Sequence, residues 1–573
     1  MNFSQDQQTP AKSHLTLRAV IVSLIVAAMT GAAYPYIVLK IGYGPNISLV
    51  SAFFGFMALA SLSAITHKKH HRCEVNLVQT AGTAAGQSGF MCAVLAAFDM
   101  LKQKPELGFN IELSTFQIFI WLSLTGMLGV LLAVPLRQHY IDEENLPFAD
   151  GAAAGETIKV LDEGPEKAKP RLYALSFGMM LSALVTFLRD GLSQPLLPPH
   201  IAFNKTLESL KLGSEVSLLS IGSGLIVGLR VGLSMAIGMI IAWVIAPPLL
   251  VQSHIVPALQ FSQVLRWVMW PAVGFLVSGG LTALILKWKL VIKTFTQIKT
   301  NQIGQKDISM RFLIIGASIL AILIALQHQL FLDFPVWLTI ISLILSFVLM
   351  LIGTRVLGET NWAPISSMAN VMQLIYHGLA PHSITANMIG SGMSASVAAN
   401  GEHLMQDYKA GKIVGSINRD LTIMQLMAVP VGSLAVAIIY PALKLKYGIG
   451  EQGLTSPISL RWAGFAELLS KGLSSLPPGC LVAMIVAVLC GTLMTLLEPR
   501  YARYVPSPTA IGIGMLVPGQ AILPMVIGGL IQHVWHKKNK AQEEAYNLPL
   551  SSGFIAGEAI IVLILAILAL IKN

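Results

Sequence analysis

Apolar runs recur along the whole chain and are separated by short polar segments. An α-helix needs about 20 residues to cross a bilayer, and most of the runs approach or reach that length. They cover residues 19–38, 47–65, 116–134, 172–188, 231–251, 312–326, 336–352, 481–497 and 554–571. This pattern predicts an all-α, polytopic integral membrane protein with no soluble domain.

The composition agrees with that class. Of the 573 residues, 54% are hydrophobic and 12% are charged, whereas about 25% of residues are charged in soluble proteins. Basic residues cluster in short loops at 68–72, 287–311, 409–419 and 537–540, as the positive-inside rule expects of cytoplasmic loops. We therefore interpret the net charge of +10 as a topology signal, with a cytoplasmic N-terminus and no nucleic-acid partner.

Cysteine and histidine patterns give no indication of a bound metal. The four cysteines form no C-x-x-C pair, so they predict neither a disulfide framework nor a zinc site. The histidines at 67, 70 and 71 alternate with basic residues that would repel a cation. We expect no metal site and no cofactor.

One polar segment, "HRCEVNLVQTAGTAAGQSGF" (71–90), lies between strongly apolar runs. On a helix at 100° per residue, its larger polar side chains fall within a sector of about 100°; they are Asn76, Gln79, Thr80, Thr83 and Gln87. Glycines and alanines occupy most of the remaining surface, which permits close helix packing. Because amides are costly to leave in hydrocarbon, the polar face must contact other polar side chains or a water-filled cavity.

A second polar stripe occurs in "NWAPISSMANVMQLIYHGLAP" (361–381). Ser366, Asn370, Gln373 and His377 recur at helical spacing and share one face, and a proline on each side predicts a short or discontinuous helix. The two stripes suggest one central site for a polar solute. Its substrate ligands would be Ser366, Asn370 and Gln373 from this stripe and the five polar residues of the first stripe. The alternative is that both stripes only join helices to one another.

Ionisable residues near membrane depth are the candidates for carrying a coupling proton. They are His377, Glu156, Glu402, Asp407 and Glu558. Histidine can exchange a proton at physiological pH. Glu558 begins the last apolar run, where we expect a helix N-terminus that favours a carboxylate. The alternative for these residues is a solvated helix end or, for the histidine, a satisfied buried position.

Several motifs resemble elements of the oligopeptide transporter family, which includes the yellow-stripe-like metal–chelate transporters. In chain order they are "NLVQTAGTAAGQSGF", "LPFADGAAAGETIKV", "LIVGLRVGLSMAIGMIIAW", "NGEHLMQDYKAGKIVGSINRD", "IGGLI" and "GFIAGEAI". Ala149 and Leu229 stand where the family usually has proline. The compact loops resemble those of bacterial members.

The resemblance implies a secondary transporter of about 16 transmembrane helices, some of them discontinuous or re-entrant. It implies proton symport that imports small peptides or metal–chelate complexes, with motif status for Asn76, Gln79, Thr80, Gln406 and Asp407. We expect one transporter domain, 1–573, in a bacterial inner membrane. Its two related halves, 17–286 and 312–573, would be joined by the basic cytoplasmic loop 287–311.

Two other functions stay open at this point. An intramembrane enzyme acting on lipid or peptide would need motifs such as H-E-x-x-H, and this motif is absent from the sequence, as is a P-loop for ATP. A passive metabolite channel would not need the scattered titratable groups. The oligomeric state is open between a monomer and a homo-oligomer.

Overall fold

The computed structural model describes residues 13–41, 47–162, 165–192, 194–203, 205–286, 308–360, 363, 365–381, 383–450, 453–454, 456–472, 476–501 and 504–572. Most of the basic loop 287–311 lies outside these ranges. The described chain is almost entirely helical. Its α-helices are α1 (Leu17–Ile41), α2 (Ile47–Thr66), α3 (Arg72–Phe90), α4 (Cys92–Lys102), α5 (Thr115–Ala133), α6 (Ala149–Asp162), α7 (Pro165–Thr186), α8 (Lys205–Ser209), α9 (Leu218–Val227), α10 (Leu229–Ile240), α11 (Ala246–Gln252), α12 (Phe261–Leu286), α13 (Met310–Phe331), α14 (Val336–Thr360), α15 (Ile365–Leu379), α16 (Ile384–Val414), α17 (Asn418–Tyr447), α18 (Pro457–Lys471), α19 (Cys480–Tyr501), α20 (Pro508–Leu516), α21 (Gly519–Lys538) and α22 (Lys540–Lys572).

A small hairpin is the exception to the predicted all-α class. Strands β1 (His200–Ala202) and β2 (Gly213–Glu215) pair antiparallel, with His200 opposite Glu215. The short helix α8 lies between them. The helical class is confirmed.

Ten helical segments in the described part of the chain are long and apolar enough to cross a membrane. The sixteen spans implied by the family resemblance stay a prediction. Helices α9 and α20 contain 10 and 9 residues, so they are about 15 and 14 Å long at 1.5 Å per residue. Neither crosses a hydrocarbon layer of about 30 Å by itself, which agrees with discontinuous helices.

The helices define two ends of the bundle. At one end, the Arg18 guanidinium at the start of α1 donates to the Lys68 carbonyl oxygen, just before α3, at 2.8 Å. Helices α1 and α3 therefore start together, and they run in the same direction because the end of α3 is also in contact with the C-terminal half of α1. At the other end, Lys40 closes α1, and Asp99 in α4 pairs with Lys444 in α17 at 2.6 Å. We refer to these as the Arg18 end and the Lys40 end.

Broken helices cross one another through glycine. A Cβ added at Gly224 of α9 would lie 1.9 Å from the Met525 carbonyl oxygen in α21, and one at Gly528 would lie 2.1 Å from that of Ile221. Helices α10 and α20 contact each other through Gly238 and Gly514 in the same reciprocal way. Such backbone contact is the small-residue packing of membrane helices.

Burial separates the lipid side of the bundle from its interior. Helix α13 exposes Ile314, Ile319 and Ile322 by more than half of their surface, as expected for a helix that faces lipid. Helix α16 is buried along almost its whole length and packs against α3, α5, α6, α14 and α15. The polar stripes predicted from the sequence therefore meet a central helix.

Candidate functional site

Helix α3 begins with a capped first turn at the Arg18 end. The His71 ring accepts the N–H of Cys73 at 3.2 Å, and the Glu74 carboxylate accepts the backbone N–H of His71 at 2.9 Å. This is a capping-box arrangement. Arg18 pairs with the same carboxylate at 2.6 Å. The helix is therefore fixed in rotation where its polar face begins.

The glycine face of α3 contacts α2 directly. A Cβ at Gly82 would lie 2.0 Å from the Ser51 hydroxyl, and one at Gly86 would lie 2.8 Å from Ile47. Any larger side chain at Gly82 would displace α2. The close approach predicted from the small residues is confirmed.

The polar face of α3 is hydrogen-bonded to a carboxylate on α16. Gln79 Nε2 donates to Asp407 Oδ1, and the Thr80 hydroxyl donates to Oδ2 at 2.8 Å. From α17, Gln425 Nε2 donates to the same Oδ2 at 2.6 Å. All four side chains are buried. We call this set the α3–α16 network, and it also includes Ser48 and Thr83, bonded to Gln79, and Asn76, which donates to Gln79 Oε1.

Asp407 has only neutral hydrogen-bond partners. Among the described residues, no lysine, arginine or histidine forms an ion pair with it. Moving a carboxylate out of water without a cation costs several kcal/mol, and the neutral donors offset part of that cost. Binding of a proton would remove the charge and weaken these hydrogen bonds between helices.

A second carboxyl group, Glu402, is buried one to two turns earlier on α16. Neither of its oxygens has a hydrogen-bond partner in the described part of the chain, and the side chain is fully buried. A Cβ at Gly353 of α14 would lie 1.9 Å from Oε1, so this glycine makes room for the carboxyl group. The rise of the helix separates Glu402 from Asp407 by about 8 Å along the axis.

The second polar stripe packs against the other end of α16. Asn370 Nδ2 donates to Gln373 Oε1 at 2.7 Å, and Gln373 Nε2 donates to the Trp462 carbonyl oxygen in α18 at 3.0 Å. Asn387, in the first turn of α16, donates to the Gln373 carbonyl oxygen at 2.8 Å. We call this set the α15 clamp. Helix α15 falls between Pro364 and Pro381 in the sequence. Its 15 residues are about 22 Å long, which is too short to cross the membrane.

The network and the clamp share one internal geometry. In both, an asparagine donates to a glutamine three residues later at 2.7 Å. In both, the asparagine Oδ1 is buried and has no hydrogen-bond partner among the described residues. Asn76 and Asn370 thus each keep one free acceptor at opposite ends of the same central helix. In this conformation the glutamines bond to protein groups.

The remaining predicted stripe residues lie close to these two groups. Gln87 is buried on α3, one turn beyond Thr83. Ser366 is half-buried at the start of α15, and His377 is half-buried near its end. His377 lines a cavity of about 10 Å³ together with Asn387, a volume that holds roughly one water molecule.

Glu156 lies apart from the other candidates. It is exposed on α6, where its carboxylate is 3.4 Å from the Lys159 ammonium. The structure does not bring it into the α3–α16 network. It is solvated, as the alternative stated for it expects, but it lies in the middle of α6 and not at a helix end.

Glu558 has a different setting from the one expected. Helix α22 begins at Lys540, so the prediction that Glu558 lies near the start of its own helix is wrong. Its Oε2 instead accepts the Leu219 N–H at 3.0 Å and the Ser217 hydroxyl at 2.9 Å. Those groups form the N-terminus of α9, where a helix dipole favours an anion. The apolar run predicted a helix here and missed the polar first turns of α22; that this helix crosses the membrane stays a prediction.

Two cations also reach Glu558. Lys40 Nζ lies 2.8 Å and Arg189 Nη1 3.3 Å from its Oε1. Lys40 has a second partner in Glu215 at 3.3 Å, and Arg189 has one in Asp190 at 2.6 Å. We call these five residues the Glu558 cluster. It lies at the Lys40 end of the bundle.

Sequence reasoning missed several residues of these groups. Gln425 is a lone amide in the apolar segment "LTIMQLMAV", and that isolation was a usable signal. Ser48, Lys40 and Arg189 gave no comparable signal, because serine is common in spans and the two cations stand at helix ends. Their roles depend on which helices become neighbours.

One group of metal-ligating atoms is also present at the Arg18 end. Ligand atoms of His14, His71 and Cys73 lie within 4.8 Å of one another, and the two imidazole rings are stacked at 4.2 Å. The sequence predicted no metal site here, because basic residues such as Arg72 are adjacent. That stays a prediction.

Comparison with known proteins places the chain in a family. The family model described as "OPT oligopeptide transporter protein" matches residues 14–569. The protein named "Putative oligopeptide transporter YGL114W" of Saccharomyces cerevisiae is 23% identical over 96% of this chain and 95% of its own length.

Plant proteins match over a similar extent. "Probable metal-nicotianamine transporter YSL10" of Oryza sativa subsp. japonica is 24% identical over 98% of this chain and 91% of its own length. "Metal-nicotianamine transporter YSL2" of Arabidopsis thaliana is 22% identical over 98% and 94%. The family match covers nearly every described helix, including both polar stripes and the central helix. This chain belongs to the OPT oligopeptide transporter family, whose members are transporters and not enzymes.

Proposed function

We propose that this protein imports small peptides or metal–chelate complexes by proton symport, with alternating access around α16. The names of the relatives, which refer to oligopeptides and to metal–nicotianamine, support this range of substrates. We further propose a bacterial inner membrane, with the N-terminus and hence the Arg18 end in the cytoplasm. The metal would arrive inside its chelator, so the protein needs no metal of its own.

The observation that carries the proposal is the Asp407 carboxyl group with its neutral partners. Binding of a proton neutralises a carboxylate that is buried without a cation, and so relieves its desolvation cost. Glu402, with no partner in the described chain, provides a second protonatable group on the same helix. We assign the coupling protons to these two residues rather than to Glu156, which is solvated, or Glu558, which is ion-paired.

The proposed mechanism links the proton to the amides of α3. Protonation of Asp407 removes the charge that holds Gln79, Thr80 and Gln425. The released amides become donors and acceptors for a solute that enters between α3 and α16. Deprotonation on the cytoplasmic side restores the network and expels the solute.

The α15 clamp would act in the same way at the other end. Asn370 and Gln373 would be freed when α16 moves away from α15, with Ser366 and His377 beside them. The halves 17–286 and 312–573 then contribute one polar helix each, α3 and α15. Motion of one half against the other is the usual route to alternating access in transporters with repeats.

The test is uptake into proteoliposomes with an imposed inward proton gradient. A labelled mixed-peptide pool and labelled iron bound to nicotianamine are run side by side. Gradient-dependent accumulation of either solute supports symport and identifies the substrate branch. Flux that is unchanged when the gradient is collapsed would instead indicate a channel and overturn the proposal.

A pair of variants locates the site. Gln79→Leu removes both donors of the amide from the α3–α16 network, and we expect uptake to fall below detection while the protein still inserts. Gln252→Leu, at the exposed last residue of α11, is the matched control and should retain transport. Wild-type transport by the Gln79 variant would show that the α3–α16 network is not needed for transport.

A further inference from the structure

A polar cavity of about 230 Å³ opens at the Lys40 end of the bundle. Its charged lining residues are Lys40, Arg189, Lys211, Asp190 and Glu215, three cations and two anions, so the lining carries a net charge of +1. The remaining wall is formed by aromatic, proline, glycine, amide and aliphatic positions. None of these charged residues was singled out by the sequence patterns.

Part of this wall is held rigid by the Glu558 cluster. Glu558 lies behind the cavity and binds the ammonium of Lys40 and the guanidinium of Arg189. Both cations are buried, so their positions are set before any solute enters. Preorganised charge of this kind lowers the cost of binding.

Two charged side chains of the cavity, Lys211 and Glu215, each have an atom without an ionic or hydrogen-bond partner in the described chain. No carboxylate of the described chain pairs with Lys211, whose ammonium lies over the Phe261 ring at 4.7 Å. Burial lowers the pKa of the Lys211 amine, as expected for a cation without an anion. On the anionic side, Glu215 pairs with Lys40 through Oε1, while its buried Oε2 has no hydrogen-bond partner in the described chain.

We propose that this cavity binds zwitterionic amino-carboxylate solutes, with the carboxylate on Lys211 and the ammonium on Glu215. The inference rests on the proposed function in one respect, since peptides and free amino-carboxylate chelators both carry these two groups. The site lies at the end of the bundle opposite the α3–α16 network. It would therefore be the first contact of a solute that approaches from the Lys40 side.

The test uses calorimetric binding to the full-length protein in detergent. The probes are trialanine, trialanine amide, which lacks the carboxylate, and N-acetyl-trialanine, which lacks the ammonium; free nicotianamine is a second amino-carboxylate. Removing one charge-assisted hydrogen bond should weaken binding by about ten-fold. We expect that loss for the amide and for the acetylated peptide on the wild-type protein.

Variants close the comparison as a double-mutant cycle. Lys211→Gln should weaken the binding of trialanine by about ten-fold and leave the binding of trialanine amide unchanged. Glu215→Gln should also weaken the binding of trialanine by about ten-fold, but should leave the binding of N-acetyl-trialanine unchanged. Lys102→Gln, an exposed lysine at the same end of the bundle, is the control and should bind every probe like the wild type.

The inference is overturned if Lys211→Gln weakens trialanine and its amide equally, or weakens neither. It is also overturned if neither trialanine nor nicotianamine binds the wild-type protein. Because no gradient is present, binding does not depend on symport. Uptake without these binding differences would support the proposed function and refute the cavity as a binding site. Binding with these differences but without uptake would support the binding site and refute the proposed function.

Discussion

Replacing Asp407 by asparagine should separate substrate movement from the proton. The substitution keeps the size of the side chain and one carbonyl oxygen for the donors of Thr80 and Gln425. It removes reversible protonation, and it also replaces the oxygen that accepts Gln79 Nε2 by an N–H donor, which frees the Gln79 amide as protonation is proposed to do. We therefore expect the variant to exchange substrate across the membrane but not to concentrate it.

The electrical work sets the size of the effect. One elementary charge moved through 100 mV is worth about 2.3 kcal/mol, and a tenfold ratio corresponds to about 1.4 kcal/mol. One coupled proton therefore supports roughly 50-fold accumulation of a neutral solute, and two support roughly 2,500-fold. Asp407 and Glu402, the two carboxyl groups assigned to coupling on α16, allow one or two protons. The Asp407→Asn ratio should fall to about one if both protons must bind.

The assay is accumulation in proteoliposomes under a potassium diffusion potential of 100 mV, interior negative. The solute is a zwitterionic substrate without net charge, so that only protons carry current. Glu156→Gln, a change at an exposed carboxylate, is the control and should accumulate substrate like the wild type. Exchange of labelled for unlabelled substrate at zero potential verifies that each variant is folded. If Asp407→Asn concentrates the solute as well as the wild type does, the coupling role of Asp407 is refuted.

Three further changes test other parts of the structure. Gly82→Leu should overpack the contact with α2 and lower the thermal midpoint in detergent by the equivalent of about 1–3 kcal/mol. Gly378→Ala, a helical position with open space around it, should not lower the midpoint. A Gly82→Leu midpoint equal to that of the wild type would contradict the packing argument. Glu558→Gln should cost about 3 kcal/mol, because it breaks a buried ion cluster while each cation keeps one other acid, and an unchanged midpoint in thermal unfolding would show that the cluster does not stabilise the fold. Gln373→Leu should abolish uptake in the proteoliposome assay without preventing insertion, and normal uptake would confine the α15 clamp to a structural role.

Local patterns in the sequence predicted those features that one helix determines alone. The polar and glycine faces of α3 follow from helical periodicity, and both were found where the pattern puts them. Prolines predicted the limits of α15 correctly, since proline ends or starts a helix by its own geometry. The apolar runs predicted the class of protein for the same reason.

Features that depend on partners could not be predicted in this way. Glu558 was assigned to the start of its own helix, because the polar first turns of α22 do not resemble a membrane span. Its actual contacts with Lys40 and Arg189 come from residues 518 and 369 positions away. Likewise, the cavity at the Lys40 end combines residues of α1, the β1–β2 hairpin and α17, and no short segment contains its pattern.

The two asparagine–glutamine pairs contact α16 near its opposite ends, so a tilt of this helix about one contact moves the other. Asn387 and Asp407 are separated by twenty residues, about 30 Å along a straight helix. A tilt of only about 5° about one of these points displaces the other by roughly 2.6 Å, which is more than a hydrogen bond tolerates. A small rotation can thus release one pair completely while the other serves as the fulcrum. In the alternating-access mechanism that we propose, this geometry would make opening of the two membrane faces mutually exclusive.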